Sequence, residues 1–376
     1  MKVTIIGASI SGLFAAYLLA KEGVEVEVYE RADAHRLFPR TLIVTSKLYD
    51  VLDFIPEEAI VNKVKYLELF SRSKSAKLEL SQPDLVVERE KLLKLVAHLA
   101  KEAGTKIVFR HPFVRFARFG RKIVVTLEDL GIGEERHVIT DVLVGADGAL
   151  SAVSRAVSCD GHYLMALFQA RVSLTKNLSP DTCQVWFDSN QTKYFYWLVP
   201  ESDRVAAVGL IANDAHRAED ALMAFLQERK LEPFEFQSSM VPMHRFMDTD
   251  GILAPGGNVF TVGDAAAQVK ATTVGGVVTG LYGAKALAHA ILNGRNYHKE
   301  LRGLKLELRL HLLIRHVLNR FKEEDYDELI GMLDGGLKGI LEERTRDELT
   351  HSFLRLIWAE PRLITLGTKT LLKSIL

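Results

Sequence analysis

Cysteine is almost missing from this 376-residue chain, which carries only Cys159 and Cys183. Two thiols build neither a disulfide framework nor a cysteine metal site, so a reducing compartment is the expected setting. A surplus of either charge is missing too, because 48 Lys and Arg balance 48 Asp and Glu. That argues against nucleic acid as a partner, since its binders usually carry a basic excess. Long hydrophobic runs are lacking: the uncharged stretches Ala271 to Ala284 and Gly251 to Gly263 fall short of the roughly 18 apolar residues of a spanning helix, and the uncharged Val3 to Ala20 is interrupted by the Gly7 to Gly12 turn. No signal peptide is read at the N-terminus, whose first residues already have a core-strand pattern. Metal-binding patterns are absent as well, since His311 and His316 are five apart and no H-E-x-x-H occurs. What is present is an ordinary folded composition, 48% hydrophobic and 26% charged, with enough length for two or three domains.

The strongest local signal opens the chain. Val3-Thr4-Ile5-Ile6 reads as a buried parallel strand, Gly7-Ala8-Ser9-Ile10-Ser11-Gly12 as a turn, and Leu13 to Ala20 as a helix. Lys21-Glu22-Gly23 ends that helix, and Val24 to Glu30 alternates as a second strand. A helix that starts directly after a buried strand aims free N–H groups at a phosphate, and glycine allows close approach. Ser9 stands where the usual G-x-G-x-x-G has its second glycine. Glu30, at the end of the second strand, compensates, because a carboxylate there accepts hydrogen bonds from a ribose. An acid favours an unphosphorylated ribose, hence FAD or NAD over NADP.

Further along, Val64 to Leu80 reads as a hairpin around Ser71–Ser75, Glu90 to Glu102 as an amphipathic helix, and Lys106 to Phe109 as a strand. Ile123–Leu127 and Val138–Ile139 flank a Gly131-Ile132-Gly133 turn. Gln184 to Ile211 is aromatic and β-branched, as antiparallel strands are. Asp220 to Lys230 reads as a helix, Asn258 to Val262 as a buried strand, and the tail as helical. Two segments, Asp141 to Arg155 and Gly257 to Ala266, each end a strand with an acid beside glycine, Asp147 and Asp264. Either alone reads as a capped strand end. Together with the first loop and Arg89 they form a set.

That set resembles the FAD-dependent oxidoreductases of the p-hydroxybenzoate hydroxylase structural class. Within it the chain is similar to the geranylgeranyl reductase family, notably the archaeal enzymes that saturate isoprenoid lipids. Three stretches carry the narrower resemblance: Gly263 to Val277, Phe195-Tyr196-Trp197-Leu198-Val199-Pro200, and the tail from Tyr297 to Asp334. Against the family's Y-x-W-x-F-P motif, Phe195 and Val199 are replacements, and Ala271 and Val274 stand for the usual Pro and Gly. The pocket cysteine of some members has no counterpart in Arg40 to Ser46.

The resemblance implies an α/β fold, α+β overall: a Rossmann-like FAD-binding domain from 1–63, 84–156 and 246–300, a β-sheet substrate domain from 64–83 and 157–245, and a C-terminal helical segment over 301–376. Gly7, Ala8, Ser9, Ser11 and Gly12 would take the pyrophosphate and Glu30 the adenosine ribose, with Arg31 near the adenine. Arg89 would reach the phosphate–ribityl stretch, and Asp264 and Asp147 the ribityl edge. Gly263 and Val114 complete the cofactor set, and Gly275, Gly276 and Val277 would begin a helix whose positive end faces the flavin.

For the aromatic run, the residues alone favour a packed core; the resemblance implies instead that Phe195, Trp197, Tyr196 and Pro200 line a substrate pocket. Strand alternation puts Phe195 and Trp197 on one face and Tyr194 and Tyr196 on the other. No catalytic residue is identified; Tyr196 and an ordered water are the candidate proton sources. Leu301 to Arg320 is a basic amphipathic stretch for which packing on its own domain is favoured over a membrane surface.

The implied activity is FAD-dependent saturation of geranylgeranyl C=C bonds, with a polyprenyl lipid as substrate and a ferredoxin or an NAD(P)H-linked donor. The expected location is cytoplasmic, with peripheral contact at the inner face of the cell membrane. The rival readings are a flavin monooxygenase and a flavin-bearing electron-transfer or lipid-binding partner.

Overall fold

The structure is a computed structural model that describes all residues except 35–39, 158–161, 175–177, 244–256, 335, 344 and 373–376. Cys159 and the expected boundary at 245/246 lie outside the described residues. The first part of the chain runs β1 (Lys2–Ile6), α1 (Ile10–Lys21), β2 (Glu25–Tyr29), β3 (Thr41–Val44), α2 (Lys47–Leu52), β4 (Ile60–Phe70), β5 (Ser75–Glu88) and α3 (Arg89–Glu102). It continues through β6 (Lys106–Val108), β7 (Phe113–Phe119), β8 (Lys122–Asp129), β9 (Glu134–Thr140), β10 (Val142–Gly145) and α4 (Ala152–Val157). The middle holds β11 (Leu164–Ser173), β12 (Thr182–Trp186), β13 (Tyr196–Pro200), β14 (Val205–Ala212), α5 (Ala215–Arg229), β15 (Glu232–Pro242) and β16 (Val259–Thr261). The rest is helical: α6 (Val277–Leu292), α7 (Tyr297–Glu300), α8 (Arg302–Leu318), α9 (Glu323–Gly331), α10 (Gly336–Glu343), α11 (Leu349–Ala359) and α12 (Arg362–Leu372).

Five strands form a parallel sheet in the order β16-β10-β1-β2-β6. Its strands are short apolar runs because both faces are covered. Helix α1 is apolar nearly all round, from Ile10 to Ala20, and is correspondingly buried between the sheet, α3 and α6. This is the α/β half that the sequence implied.

The second sheet has eight strands, ordered β15-β11-β14-β13-β12-β4-β5-β3. It reaches further back than 64–83, since it takes in β3 and all of β4 and β5. The antiparallel expectation for Gln184 onward holds for β12 with β13 and β13 with β14, but β12 pairs parallel to β4 on its other side. Periodicity within β12 is the same in both cases, so pairing direction was not legible there. A small antiparallel sheet, β7-β8-β9, completes the strands.

The C-terminal helices share a core of Phe321, Tyr326, Met332, Leu333, Leu337, Leu356 and Leu366, which also packs on Leu69, Ala76 and Phe187 of the large sheet region. Polar contacts bind the same segment to the rest. Arg346 pairs with Asp84 and Glu348 with Lys47, while Glu307 of α8 accepts from the backbone N–H groups of Leu349 and Thr350 at the start of α11.

Candidate functional site

A cleft lies across the carboxyl ends of the parallel strands, where open α/β sheets bind ligands. At the end of β1, Gly7 has φ +100°, and a Cβ on it would stand 2.5 Å from the Ala146 carbonyl oxygen. A Cβ on Gly12 would stand 2.6 Å from the Ala146 Cβ and 2.7 Å from the Gly7 oxygen. Both positions therefore demand glycine, one for its backbone angle and both for space. Ser9 caps α1, its hydroxyl accepting from the Gly12 N–H at 3.1 Å. The serine in place of the second glycine thus secures the start of the helix. Glu30, at the end of β2, accepts from the backbone N–H groups of Ala8 (2.8 Å) and Ala32 (2.9 Å), so its carboxylate is held at the cleft wall. Each oxygen retains a further lone pair for a ribose hydroxyl.

Midway along the cleft, Arg89 opens α3 and donates its backbone N–H to the Arg40 carbonyl. Arg40, Arg89 and Asp264 all line the cleft. Burial, together with the nearby Arg89, pushes the Arg40 guanidinium down to about 10, while Asp264 opposes the fall. Burial likewise lowers Arg89 and raises the Asp264 carboxyl, and their mutual attraction counters both. The Arg40 Nε is buried with no hydrogen-bond partner among the described residues. Arg40 and Arg89 thus stand buried in the cleft with Asp264, and with Glu30 acting on Arg89, and their guanidinium groups suit a pyrophosphate.

The first of the two acid-ended strands behaves differently from the second. Asp147 lines the cleft, yet its carboxylate accepts from Ser151 Oγ (2.6 Å), Ala152 N (2.6 Å) and Val153 N (3.2 Å) and so caps α4. Burial raises the Asp147 carboxyl, against the pull of these bonds. Asp264 follows Gly263, whose φ is +67°, and lies beside the start of α6, where a Cβ on Gly276 would be 3.0 Å from Asp264 Oδ1. Gly276 is the residue before Val277, so α6 begins where the sequence implied.

Gly7, Ala8, Ser9, Glu30, Arg31, Arg89, Asp147 and Asp264 thus share one cleft wall. Five expectations need correction. Ser11 turns its buried side chain toward Gly263 and Gly280, not into the cleft, because α1 packs on α6 there. Val114 is 43% exposed on β7, and its neighbour Phe113 lines the cleft instead. Tyr196 lies behind the sheet, stacked on Phe225 of α5 at 4.2 Å with its hydroxyl donating to the Ala221 carbonyl. It is a core residue, and Leu198 shares its cluster; Pro200 follows with the same strand parity, its carbonyl accepting from Asn62. Tyr194 precedes β13, escapes the alternation, and joins the same cluster as Phe195 and Trp197.

Phe195 and Trp197 hold the opposite face from Tyr196. They meet edge to face at 6.2 Å and pack with Val269, Ala271 and Val274, the loop between Asp264 and α6. In that loop Lys270 forms a buried ion pair with Asp347 at 2.5 Å, and Asp347 also accepts from Thr45. The aromatic sheet face therefore abuts the segment that carries the second acid.

The model of the FAD binding domain matches residues 1–296. The chain belongs to the FAD binding domain family. It is similar to a digeranylgeranylglycerophospholipid reductase of Methanocaldococcus jannaschii, 25% identical over 96% of each chain. It is also similar to a geranylgeranyl diphosphate reductase of Rhodobacter capsulatus, 26% identical over 55% of this chain and 53% of that one. Among solved structures, a geranylgeranyl bacteriochlorophyll reductase-like protein from Thermoplasma acidophilum shares the fold with TM-score 0.78 and 19% identity, covering 98% of both. PqsL of Pseudomonas aeruginosa shares it with TM-score 0.67 and 20% identity, over 89% of this chain and 99% of that one.

FAD is the cofactor of this family member, and the chain is an FAD-dependent oxidoreductase, as its sequence implied. The residues present fit the cofactor: Gly7, Ala8 and Ser9 line the cleft beside Glu30, and the unpartnered Arg40 Nε lies there with Arg89 and Asp264. Sequence reasoning passed over Arg40. It follows the undescribed 35–39 stretch with no motif around it, and only the fold brings it to Arg89.

Proposed function

We propose that this chain is a reductase that saturates C=C bonds of geranylgeranyl chains, acting on archaeal-type membrane lipids. The observation that carries the reading is the aromatic face of β13, where Phe195 and Trp197 abut Val269–Val274 beside the flavin segment. The whole-length similarity to the Methanocaldococcus jannaschii reductase supports the same substrate class. FAD, when bound, supplies a hydride equivalent. The residues of the chain then have three tasks: to hold the pyrophosphate at Gly7–Gly12 with Arg40 and Arg89, to fix the ribityl edge at Asp264, and to hold an isoprenoid against Phe195 and Trp197. An apolar aromatic wall suits a hydrocarbon and keeps water away.

The proton for the second carbon does not come from Tyr196, whose hydroxyl is bonded behind the sheet. The electron donor in this reading is a ferredoxin or an NAD(P)H-linked protein. Contact with the membrane is peripheral, since among the described residues no helix is long and apolar enough to cross one.

The test is reduction with dithionite under strict anaerobiosis, followed by mass spectrometry of a geranylgeranyl lipid. Products heavier by two hydrogens per step are expected, with no need for oxygen. A product that gains one oxygen atom only in air would overturn the reading and favour a monooxygenase. Trp197→Ala is expected to keep full flavin content while lipid turnover falls roughly tenfold, the worth of a large aromatic contact. Loss of flavin in that variant would make Trp197 a mere core residue.

A further inference from the structure

The last two helices turn part of their apolar surface outward. In α11, Ser352 and Leu356 face inward, while His351, Leu354, Arg355 and Trp358 recur at helical spacing on the exposed side. Leu354 is 76% exposed and Trp358 88%. Pro361 separates the helices, and Ile364 of α12 is 50% exposed. Leu354, Ile357, Trp358, Pro361 and Ile364 line one shallow groove, with Arg355 as its charged member. A tryptophan left this open in water forgoes the largest apolar burial available to any side chain.

We propose that this α11–α12 corner docks on the surface of an anionic lipid bilayer. The inference rests on the lipid substrate proposed above and names the surface through which the chain would reach it. Charge supports the choice of occupant. Over 349–372 the cations are Arg355, Arg362 and Lys369 and the sole acid is Glu360, in a chain whose total charge is zero. All three cations have partners, Arg355 with Glu343, Arg362 with Glu360 and Lys369 with Glu328, at exposed sites where such pairs are weak and a lipid phosphate can compete. Exposed indole suits the interfacial zone, with the ring among acyl chains and the N–H at the headgroups.

A second copy of the chain fits less well, because six groove residues fall far below the roughly 20–30 per side of a stable interface. Helix α8, which packs on α11 and α12, repeats the pattern. It turns Glu307, His311 and Arg315 inward and leaves Arg302, Leu306, Arg309 and Leu313 exposed at spacings of four and three. The membrane-facing role falls on exposed residues, not on Arg315, which is bonded to the carbonyls of Lys193 and Thr272.

The test is co-sedimentation of the FAD-loaded full chain with vesicles. Binding is expected to phosphatidylglycerol-containing vesicles and to be much weaker to pure phosphatidylcholine. Replacing Leu354, Trp358 and Ile364 together by serine is expected to lower the bound fraction roughly tenfold or more, with flavin content and turnover of detergent-dispersed lipid unchanged. Trp358→Ser alone, expected to lose a few-fold (about threefold), serves if the triple variant fails to fold. Wild-type protein that ignores phosphatidylglycerol vesicles, or variants that bind as wild type does, would overturn the proposal. So would a wild-type dimer, seen by ultracentrifugation, that the same substitutions dissolve while vesicle binding is unaffected. Vesicle binding that depends on these residues, in a protein that reduces no geranylgeranyl lipid, would uphold the docking face and defeat the substrate reading alone.

Discussion

Asp147 and Asp264 stand at matching places, just past the ends of the adjacent strands β10 and β16, and each follows or precedes glycine. Their surroundings separate them. Asp147 is followed closely by α4, so the helix N-terminus consumes its carboxylate through Ser151, Ala152 and Val153. Asp264 is followed by a short loop that returns to α6, and the groups that act on its carboxyl are the buried Arg40 and Arg89, with His162. One acid holds a piece of the protein together. The other remains available to a ligand. Identical local chemistry thus yields a structural group in one place and a binding group in the other, depending on which backbone N–H groups lie within reach.

The largest disturbance of this pair should come from between them and α1. Gly12→Val would drive a branched side chain into Ala146, the residue before Asp147, and into the Gly7 carbonyl. Complete loss of flavin absorbance in the purified protein is expected, with far-UV circular dichroism showing whether the fold survives. Full flavin retention would mean that this loop does not hold the pyrophosphate.

Charge removal at each acid sharpens the contrast. Asp264→Asn is expected to weaken FAD binding roughly 10–100-fold, the worth of one or two charge-assisted hydrogen bonds. Asp147→Asn should change it by no more than about threefold, because asparagine caps a helix nearly as well. Asp147→Ala should instead cost about 1 kcal/mol of stability through the lost cap. Titration of apoprotein with FAD and denaturant unfolding separate these outcomes. Equal effects of the two Asn substitutions on FAD affinity would erase the distinction.

A third acid, Glu307, performs the Asp147 kind of task at the start of α11. Burial alone would raise its carboxyl. The His311 imidazole 3.4 Å away, the Thr350 side chain and hydrogen bonds from the backbone N–H groups of Leu349 and Thr350 outweigh it and bring the group down to about 2. A depressed value means that the stabilisation is present above the usual glutamate range and is lost as pH falls toward 2. Relative to Glu307→Gln, the wild-type melting temperature should therefore hold a constant advantage above about pH 5 and lose it on acidification. An advantage that grows on acidification would reverse the sign and refute the assignment. This is the smallest effect, confined to the docking of the C-terminal helices.

The sequence by itself determined the opening strand–loop–helix–strand unit, the glycines at 7 and 12, the acid at 30 and the start of α6. These signals are local: a tight turn, a capping serine and an apolar period each concern residues within a few turns of one another. It also determined that the aromatic strand has two faces. Which face met the flavin segment was left to the tertiary structure, because α5, which covers Tyr196, enters from 215–229. The same holds for Arg40 beside Arg89, for Thr45 and Asp347, separated by 302 residues, and for Asp84 and Arg346, separated by 262. Periodicity and spacing carry no information on such pairs. A carboxylate's role depends on the donors that folding brings to it, and those donors arrive from elements far along the chain.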